Sequence, residues 1–371
     1  MRFGIIREVV AGERRVAVTP AEAASLISEH HEVVLESRAG EGSGFTDTEY
    51  LAAGAEVVYT LRDVLARAEV LLKVQSVREE ELVLMEPGCV VVGFLHLAAS
   101  PPAIFAGLIQ KGCTAVALEL VQDTTGRFPV VEPVSALGGR VAVAMAGYHL
   151  TQAGGGDGTM LGGCPGVLPC HVVVIGAGMA GSAAAREAAR LGARVTMLDL
   201  DGRKLRDFEM WRGISTAIAT PYNVSRCVES ADVLIGAVAR RGEPAPRILT
   251  RHQIRALPAG ALFVDLSIDE GGCSETSRPT SVEEPVYEEE GVRHMCIPNL
   301  PSVVARTASR TLGSAVLPYL RILGELGLEA ALAEDEYLAG ATQIYRGTVT
   351  SRRLARHQGG EATPIGTLIR G

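Results

Sequence analysis

His171-Val-Val-Val-Ile-Gly-Ala-Gly-Met-Ala-Gly181 decides how the rest of the chain is read. Val172 to Ile175 are four β-branched residues in a row, a short apolar run suited to a strand buried on both faces. The run stops at Gly176-Ala177-Gly178-Met179-Ala180-Gly181. An alanine-rich helix is predicted from Ser182 to Leu191, closed by Gly192 as a left-handed cap. A second strand, Arg194 to Leu198, ends at Asp199, about 20 residues beyond the glycines. A glycine-rich turn alone carries little weight, but strand, turn, helix, second strand and terminal acid together describe a dinucleotide-binding unit. Gly176 permits the tight turn, Gly178 lets backbone approach a pyrophosphate, and Gly181 lets helix and strand pack closely. The pyrophosphate is stabilised by the free N–H groups and the dipole of the helix N-terminus. Asp199 accepts hydrogen bonds from the ribose hydroxyls and opposes an added phosphate. NAD is therefore expected over NADP, with Arg203 nearby working against the preference.

At 371 residues, 47% of them hydrophobic, the chain is long enough for two domains with substantial cores. Lys and Arg total 35 against 43 Asp and Glu, a net charge of −8, which argues against nucleic acid or an anionic membrane as a partner. No apolar run approaches the ~20 residues that span a bilayer, and the first residues carry charge, so a cytoplasmic protein is expected. The 7 cysteines are scattered without a C-x-x-C pair, as befits reduced thiols. Cys164 and Cys170, the nearest in sequence, have no partner histidines, and no metal is expected.

From the N-terminus, strands and helices alternate. Arg2 to Ile6 is predicted as a strand. Thr19 as N-cap and Pro20 at the first helical position start a helix that runs to about Ser28, and Glu32 to Leu35 is the next strand. Thr46-x-x-Glu49 is a capping box, and Thr60 opens another helix. Val70 to Gln75 reads as a buried strand containing Lys73, Cys89 to Leu95 as one ending at His96, and Thr114 to Leu118 as a third. A long helix is expected from Gly139 to Leu150, a mobile loop from Gln152 to Gly163, further strands at 232–236, 261–266 and 294–297, and a helix from Arg306 to about Gly327 broken or kinked near Pro318. The fold class is α/β: two doubly wound, Rossmann-like domains, the second of them binding NAD. Ligands then bind beyond the strand C-termini, where Lys73 and His96 fall. A lysine flanked by apolar residues on both sides is poorly placed for snorkelling, whereas a histidine at a strand end is as often a satisfied core group.

Several separate stretches resemble the alanine dehydrogenases. They are Glu13-Arg-Arg-Val-Ala-Val-Thr-Pro20, Leu71-Leu-Lys-Val74, Phe94-Leu-His-Leu-Ala-Ala99, Gly162-Gly-Cys-Pro-Gly166, Val264-Asp-Leu-Ser-Ile-Asp269 with Gly271-Gly-Cys273, Asn299-Leu-Pro301 and Tyr345-Arg-Gly-Thr-Val-Thr350. The resemblance spans nearly the whole chain and extends to a domain of pyridine-nucleotide transhydrogenases. It implies a substrate domain made of residues 1–127 with 305–371, an NAD domain of 128–304, and a hexamer. It also implies that Arg15 and Lys73 hold the carboxylate and carbonyl oxygen of a small 2-oxo acid, that His96 is the acid/base, and that Asp269 assists with water or ammonia. Asn299 and Val134 then touch substrate. Gly176, Gly178, Met179, Ala180, Gly181, Asp199, Ser135, Val238 and Ala239 touch NAD.

Reductive amination passes through a carbinolamine and an imine, so it needs a cation to fix the 2-oxo acid and a group shuttling protons near neutral pH. The resemblance thus implies reversible deamination of L-alanine to pyruvate and ammonia. Val134, Ala239 and Gly93 stand where relatives usually carry methionine, leucine and threonine, and Glu132 and Ala136 also depart from the pattern, so a somewhat larger amino acid is an expectation to test. Two alternatives stay open: an opine-type reductase joining a 2-oxo acid to a larger amine, and a nucleotide-binding module without catalysis.

Overall fold

The computed structural model describes residues 1–239 and 244–369. The chain forms two compact units, Met1–Val134 with Val304–Gly371, and Ser135–Val303. The division expected before residue 128 lies instead inside a helix, Val131–Leu150. That helix starts eight residues ahead of the expected Gly139. Pro133 does not prevent this, because a proline in the first turn lacks only an N–H that has no intrahelical partner anyway. Gly138 and Gly139 do not stop it either. A Cβ at Gly139 would sit 2.0 Å from the Ala180 carbonyl oxygen, so glycine there serves a close helix crossing within the second unit.

In the first unit the strands are β1 (Arg2–Ile5), β2 (Glu32–Glu36), β3 (Glu56–Val58), β4 (Val70–Leu72), β5 (Val90–Gly93) and β6 (Thr114–Ala117). The second unit contributes β7 (His171–Ile175), β8 (Arg194–Asp199), β9 (Ile214–Ile218), β10 (Val233–Gly236), β11 (Leu262–Asp265), β12 (Val286–Glu289) and β13 (Val292–Met295). β14 (Thr342–Tyr345) and β15 (Thr348–Val349) return to the first sheet.

The two sheets repeat one topology. The first runs β15-β14-β6-β5-β4-β1-β2-β3 and the second β12-β13-β11-β10-β7-β8-β9. The six strands that run from β3 to β6, and from β9 to β13, are parallel in each. Among the described residues, the antiparallel pairings lie at the edges: β14 on β6, β15 on β14, and β12 on β13. Each sheet therefore has one switch point, β1 beside β4 and β7 beside β10, where ligands of such folds bind. Alternation along the strands sends Val70 and Leu72 to one apolar cluster and Leu71 to the other, so both faces of the first sheet are covered. Helix Pro20–Ser28, capped by Thr19 with Glu22, packs Leu26 on the first face, and helix Pro102–Gln110 packs Ile104 and Leu108 on the second.

Three expectations shift for local reasons. β4 ends at Leu72, one residue before Lys73, although the Lys73 N–H still reaches the Val92 carbonyl. β5 ends at Gly93 rather than Leu95 because the N–H groups of Leu95 and His96 turn to the Glu119 carboxylate. Helix Ala305–Leu326 runs unbroken through Pro318, held by a buried stripe that includes Leu312, Val316, Leu320 and Leu323.

Candidate active site

At the switch point of the first unit, the residues after β1 and β4 meet. Lys73 is 1% exposed, and its Nζ lies 2.9 Å from Glu81 Oε1 and 3.4 Å from Glu8 Oε2. The second Glu8 oxygen accepts the N–H groups of Val74 and Gln75 at 2.7 and 3.1 Å. A buried cation thus sits between two buried carboxylates, each of which has further donors, the arrangement that makes an ion pair tolerable away from water. Arg15, also buried, donates Nε and Nη2 to the two oxygens of Glu13 at 2.8 and 2.6 Å. Burial pushes the Glu13 carboxyl up, but the hydrogen bonds and charge of Arg15, with the amide of Gln75, outweigh it and hold the group below its ordinary value. Gln75 binds Glu13 through its side chain and Glu8 through its backbone, so Arg15 and Lys73 belong to one polar network. Lys73 also lines a small cavity with Val18, Leu72, Val92 and Leu118.

His96 stands at the neighbouring strand end. Ser76 donates to the Leu95 carbonyl at 2.6 Å, which ties this segment to the one after Lys73. The backbone of His96 is left-handed, with φ 44°. Among non-glycine residues histidine and asparagine tolerate that region better than most, yet it stores strain. Glu119 holds the turn: its carboxylate accepts the N–H of His96 at 2.7 Å and of Leu95 at 3.1 Å, and its Oε1 lies 3.9 Å from His96 Nδ1. The ring stacks on Phe94 and its side chain is 59% exposed, which removes the satisfied-core reading of this histidine. Val134 is buried in the apolar cluster with Leu312 and Val316.

In the second unit, the turn after β7 shows what each glycine does. A Cβ on Gly176 (φ 107°) would lie 2.2 Å from the Ala237 carbonyl oxygen, and one on Gly181 would lie 1.9 Å from that of Gly176. A Cβ on Gly178 would meet nothing within 4 Å. Two glycines are thus required by packing, while the third, at the N-cap of helix Met179–Arg190, leaves open space before the free N–H groups of the helix. Met179 and Ala180 in this first turn are partly exposed. Asp199, at the end of β8, accepts the Ala177 N–H at 2.7 Å and the Asp201 N–H at 2.8 Å, so its carboxylate borders the glycine turn. Arg203 is engaged elsewhere: its hydrogen bonds hold the Asp201 carboxyl down to about 2. Lys204 Nζ is the cation beside Asp199, at 3.8 Å.

Asp269 is exposed on a short turn after β11 and accepts the Asn299 N–H at 2.9 Å, so these two are brought together. Asn299, like His96, has a left-handed backbone, with φ 50°. Asp265 is almost wholly buried and accepts the N–H groups of Ser267 and Cys273 and the Ser277 hydroxyl, fixing the loop that carries Asp269. Ser267 in turn donates to the Val238 carbonyl at 2.7 Å and accepts the Val238 N–H at 3.0 Å. Ser135 is partly buried on helix Val131–Leu150, and Ala239 is exposed beside Val238.

Glu8, Glu81, Glu119, Gln75 and Asp265 were not singled out by the sequence reading. For Glu119 the signal was available, since the strand-end rule that selected Lys73 and His96 selects it equally. The chemistry on offer in the first unit is a pair of immobilised cations for an anionic oxygen-bearing substrate and a solvent-facing imidazole beside a carboxylate for proton transfer.

The chain matches the family described as "Alanine dehydrogenase/PNT, N-terminal domain" over residues 4–138 and its "C-terminal domain" over residues 142–352. It is 41% identical over 358 residues to the alanine dehydrogenase of Mycolicibacterium smegmatis, covering 96% of each chain. It is 40% identical over 361 residues to that of Mycobacterium tuberculosis, covering 97% of each. Among solved structures, an L-alanine dehydrogenase superposes with a TM-score of 0.91 at 34% identity, covering 96% of this chain and 99% of that one. A transhydrogenase from Sinorhizobium meliloti superposes at 0.83 with 26% identity, covering 94% and 100%.

Proposed function

The chain belongs to the alanine dehydrogenase/PNT family, and from that premise we propose that it is an NAD-dependent L-alanine dehydrogenase, which deaminates L-alanine to pyruvate and ammonia reversibly. The observation that carries the reading is the buried Arg15–Glu13–Gln75–Glu8–Lys73 network beside an exposed, strained His96. A nucleotide-binding module without chemistry has no use for two cations held this rigidly next to a proton-transfer group. An opine-type reductase needs room for a second organic amine. Nothing at Gly93 provides it, because a Cβ there would lie 2.6 Å from the Lys73 carbonyl oxygen, so the missing side chain is filled by backbone rather than by a wider pocket.

Arg15 is assigned to the substrate carboxylate and Lys73 to the carbonyl oxygen, where developing negative charge is stabilised by groups already in place. His96 takes a proton as water adds to the imine and returns one as ammonia leaves. Glu119 orients the imidazole, and Asp269, with Asn299, assists water or ammonia. Gly176, Gly178, Gly181, Met179, Ala180 and Asp199 are assigned to NAD, with Ser135, Val238 and Ala239 as further contacts. The open space at Gly178 and the carboxylate at the strand end fit a pyrophosphate and a ribose diol. When bound, NAD supplies the hydride acceptor.

Initial rates with alanine, 2-aminobutyrate, norvaline and ornithine, each with NAD and with NADP, test this. The highest kcat/KM is expected for alanine with NAD. An added methylene in an apolar pocket shifts selectivity by about 10- to 200-fold. Losing hydrogen bonds to a charged group, as NADP must at Asp199, costs about 1.5–3 kcal/mol, or roughly 10- to 100-fold. Equal efficiency with NADP would remove Asp199 from its role, and a maximum at ornithine would overturn the substrate.

The glycines give an independent check. Gly181→Ala is expected to lower thermal stability, because its Cβ has no room beside the Gly176 carbonyl. Gly178→Ala is expected to leave stability unchanged while weakening NAD binding, since its Cβ enters open space that the pyrophosphate is to occupy. Calorimetric titration and thermal melts of both variants separate the two. Unimpaired NAD binding by Gly178→Ala would move the pyrophosphate elsewhere.

A further inference from the structure

Cys89 and Cys113 immediately precede β5 and β6, 24 residues apart in sequence. Those strands are parallel neighbours with Val90 paired to Thr114, and the Thr114 N–H binds the Cys89 carbonyl, so the two cysteines are the next residues in register. Residues paired this way point to the same face, and both sulfurs lie in the same apolar cluster, 3.1 Å apart. Neighbouring strands are about 4.8 Å apart. That spacing falls within the roughly 4.4–6.8 Å Cα separation that a disulfide spans. We propose that Cys89 and Cys113 form a dithiol site that small-molecule disulfides convert reversibly into an intrachain disulfide joining β5 to β6.

Exposure sets the order of events. Cys113 is fully buried and Cys89 only partly, so an external reagent meets Cys89 first. Cys89 loses its proton to solvent as its sulfur attacks one sulfur of the external disulfide. The external S–S bond breaks, one small thiolate departs, and a mixed disulfide remains on Cys89. Cys113 then attacks the Cys89 sulfur and displaces the second small thiolate. Two protein thiols lose two electrons, the external disulfide gains them, and the two released thiolates take up the two protons. In the reduced pair the hydrogen bond between the sulfurs, with burial, holds the Cys89 thiol above its ordinary range, and that same bond holds Cys113 below it. Once Cys89 is in the mixed disulfide the bond is gone, and the charge of Lys111 beside Cys113 is what favours its thiolate in the second step. Intracellular disulfides of this kind are transient and redox-responsive rather than permanent. The site lies at the N-terminal ends of the strands whose other ends lead to His96 and Glu119, so it uses none of the groups assigned to the reaction.

The full-length protein, incubated with oxidised glutathione, quenched in acid, alkylated and digested, provides the test. The expected product is a cross-linked peptide pair containing Cys89 and Cys113, restored to two alkylated thiols by dithiothreitol. Cys113→Ser is expected to trap a stable glutathione adduct on Cys89, and Cys89→Ser to leave Cys113 reduced. Exposed Cys164 is the internal control for reagent activity. If Cys164 is modified while Cys89 and Cys113 both remain alkylatable, or if wild type accumulates a lasting glutathione adduct on Cys89 without the cross-link, the proposal is wrong.

Discussion

Replacing His96 by asparagine is expected to lower kcat for alanine deamination by about 10²–10⁴-fold, the usual contribution of a positioned acid/base group. Asparagine is the informative substitution because it tolerates the left-handed backbone at this position, φ 44°, and keeps the N–H that Glu119 accepts. The turn then persists while the titratable ring is gone. NAD affinity, measured by calorimetric titration, is expected to stay within a factor of about two, since the glycine turn and Asp199 belong to the other unit. Near-normal turnover would remove His96 from the chemistry. Collapse of NAD affinity together with turnover would instead contradict the assignment of nucleotide groups to residues 135–303.

The second large effect concerns Lys73, whose substitution is expected to cost both activity and stability. In Lys73→Met the cation shared by Glu81 and Glu8 disappears, leaving two carboxylates that are 1–3% exposed in their side chains. Removing one partner of a buried ion pair typically costs about 3–5 kcal/mol. Arg78 still donates to Glu81, and backbone N–H groups still bind Glu8, so the lower end of that range is expected here. Adding Glu81→Gln removes one of the stranded charges and is expected to recover much of the stability, as read from urea denaturation. Turnover should not return with it. Recovery of turnover in the double variant would make Lys73 a structural residue only, and full stability of the single variant would contradict the buried network.

The parts of the fold set by short-range chemistry were legible in the sequence. Thr19 with Pro20, Thr46 with Glu49, and Gly192 mark helix ends through local hydrogen bonds and backbone preference, and the structure places the ends there. The strand–turn–helix around Gly176 was equally readable, because its glycines answer to contacts within the motif. The parts settled by distant partners were not. The early end of β5 depends on Glu119, 23 residues from His96, and nothing in Phe94-Leu-His96 announces it. The helix through Gly138-Gly139 depends on a crossing with Ala180, and Pro318 lies inside a helix that continues past it along a buried stripe. The edge strands β14 and β15 are short and join the sheet after a long excursion of the chain.

The site shows the same division. Lys73 and His96 were found because strand ends are where this fold presents chemistry. Their partners were missed because carboxylates that fix a cation look in sequence like any surface glutamate; Glu79-Glu80-Glu81 shows no sign that only the last is buried beside Lys73. Gly93 misled in the opposite way. A small residue reads as empty space, whereas here it admits the Lys73 carbonyl.

Hydride transfer from alanine itself decides whether the protein is an alanine dehydrogenase. L-alanine carrying deuterium at Cα is incubated with the protein and NAD, and the reduced cofactor is isolated for mass analysis alongside assays for pyruvate and ammonia. The expected result is one deuterium in each NADH, with pyruvate and ammonia formed in equal amounts to it. NADH without deuterium, or no NADH while NAD remains bound, would contradict an alanine dehydrogenase.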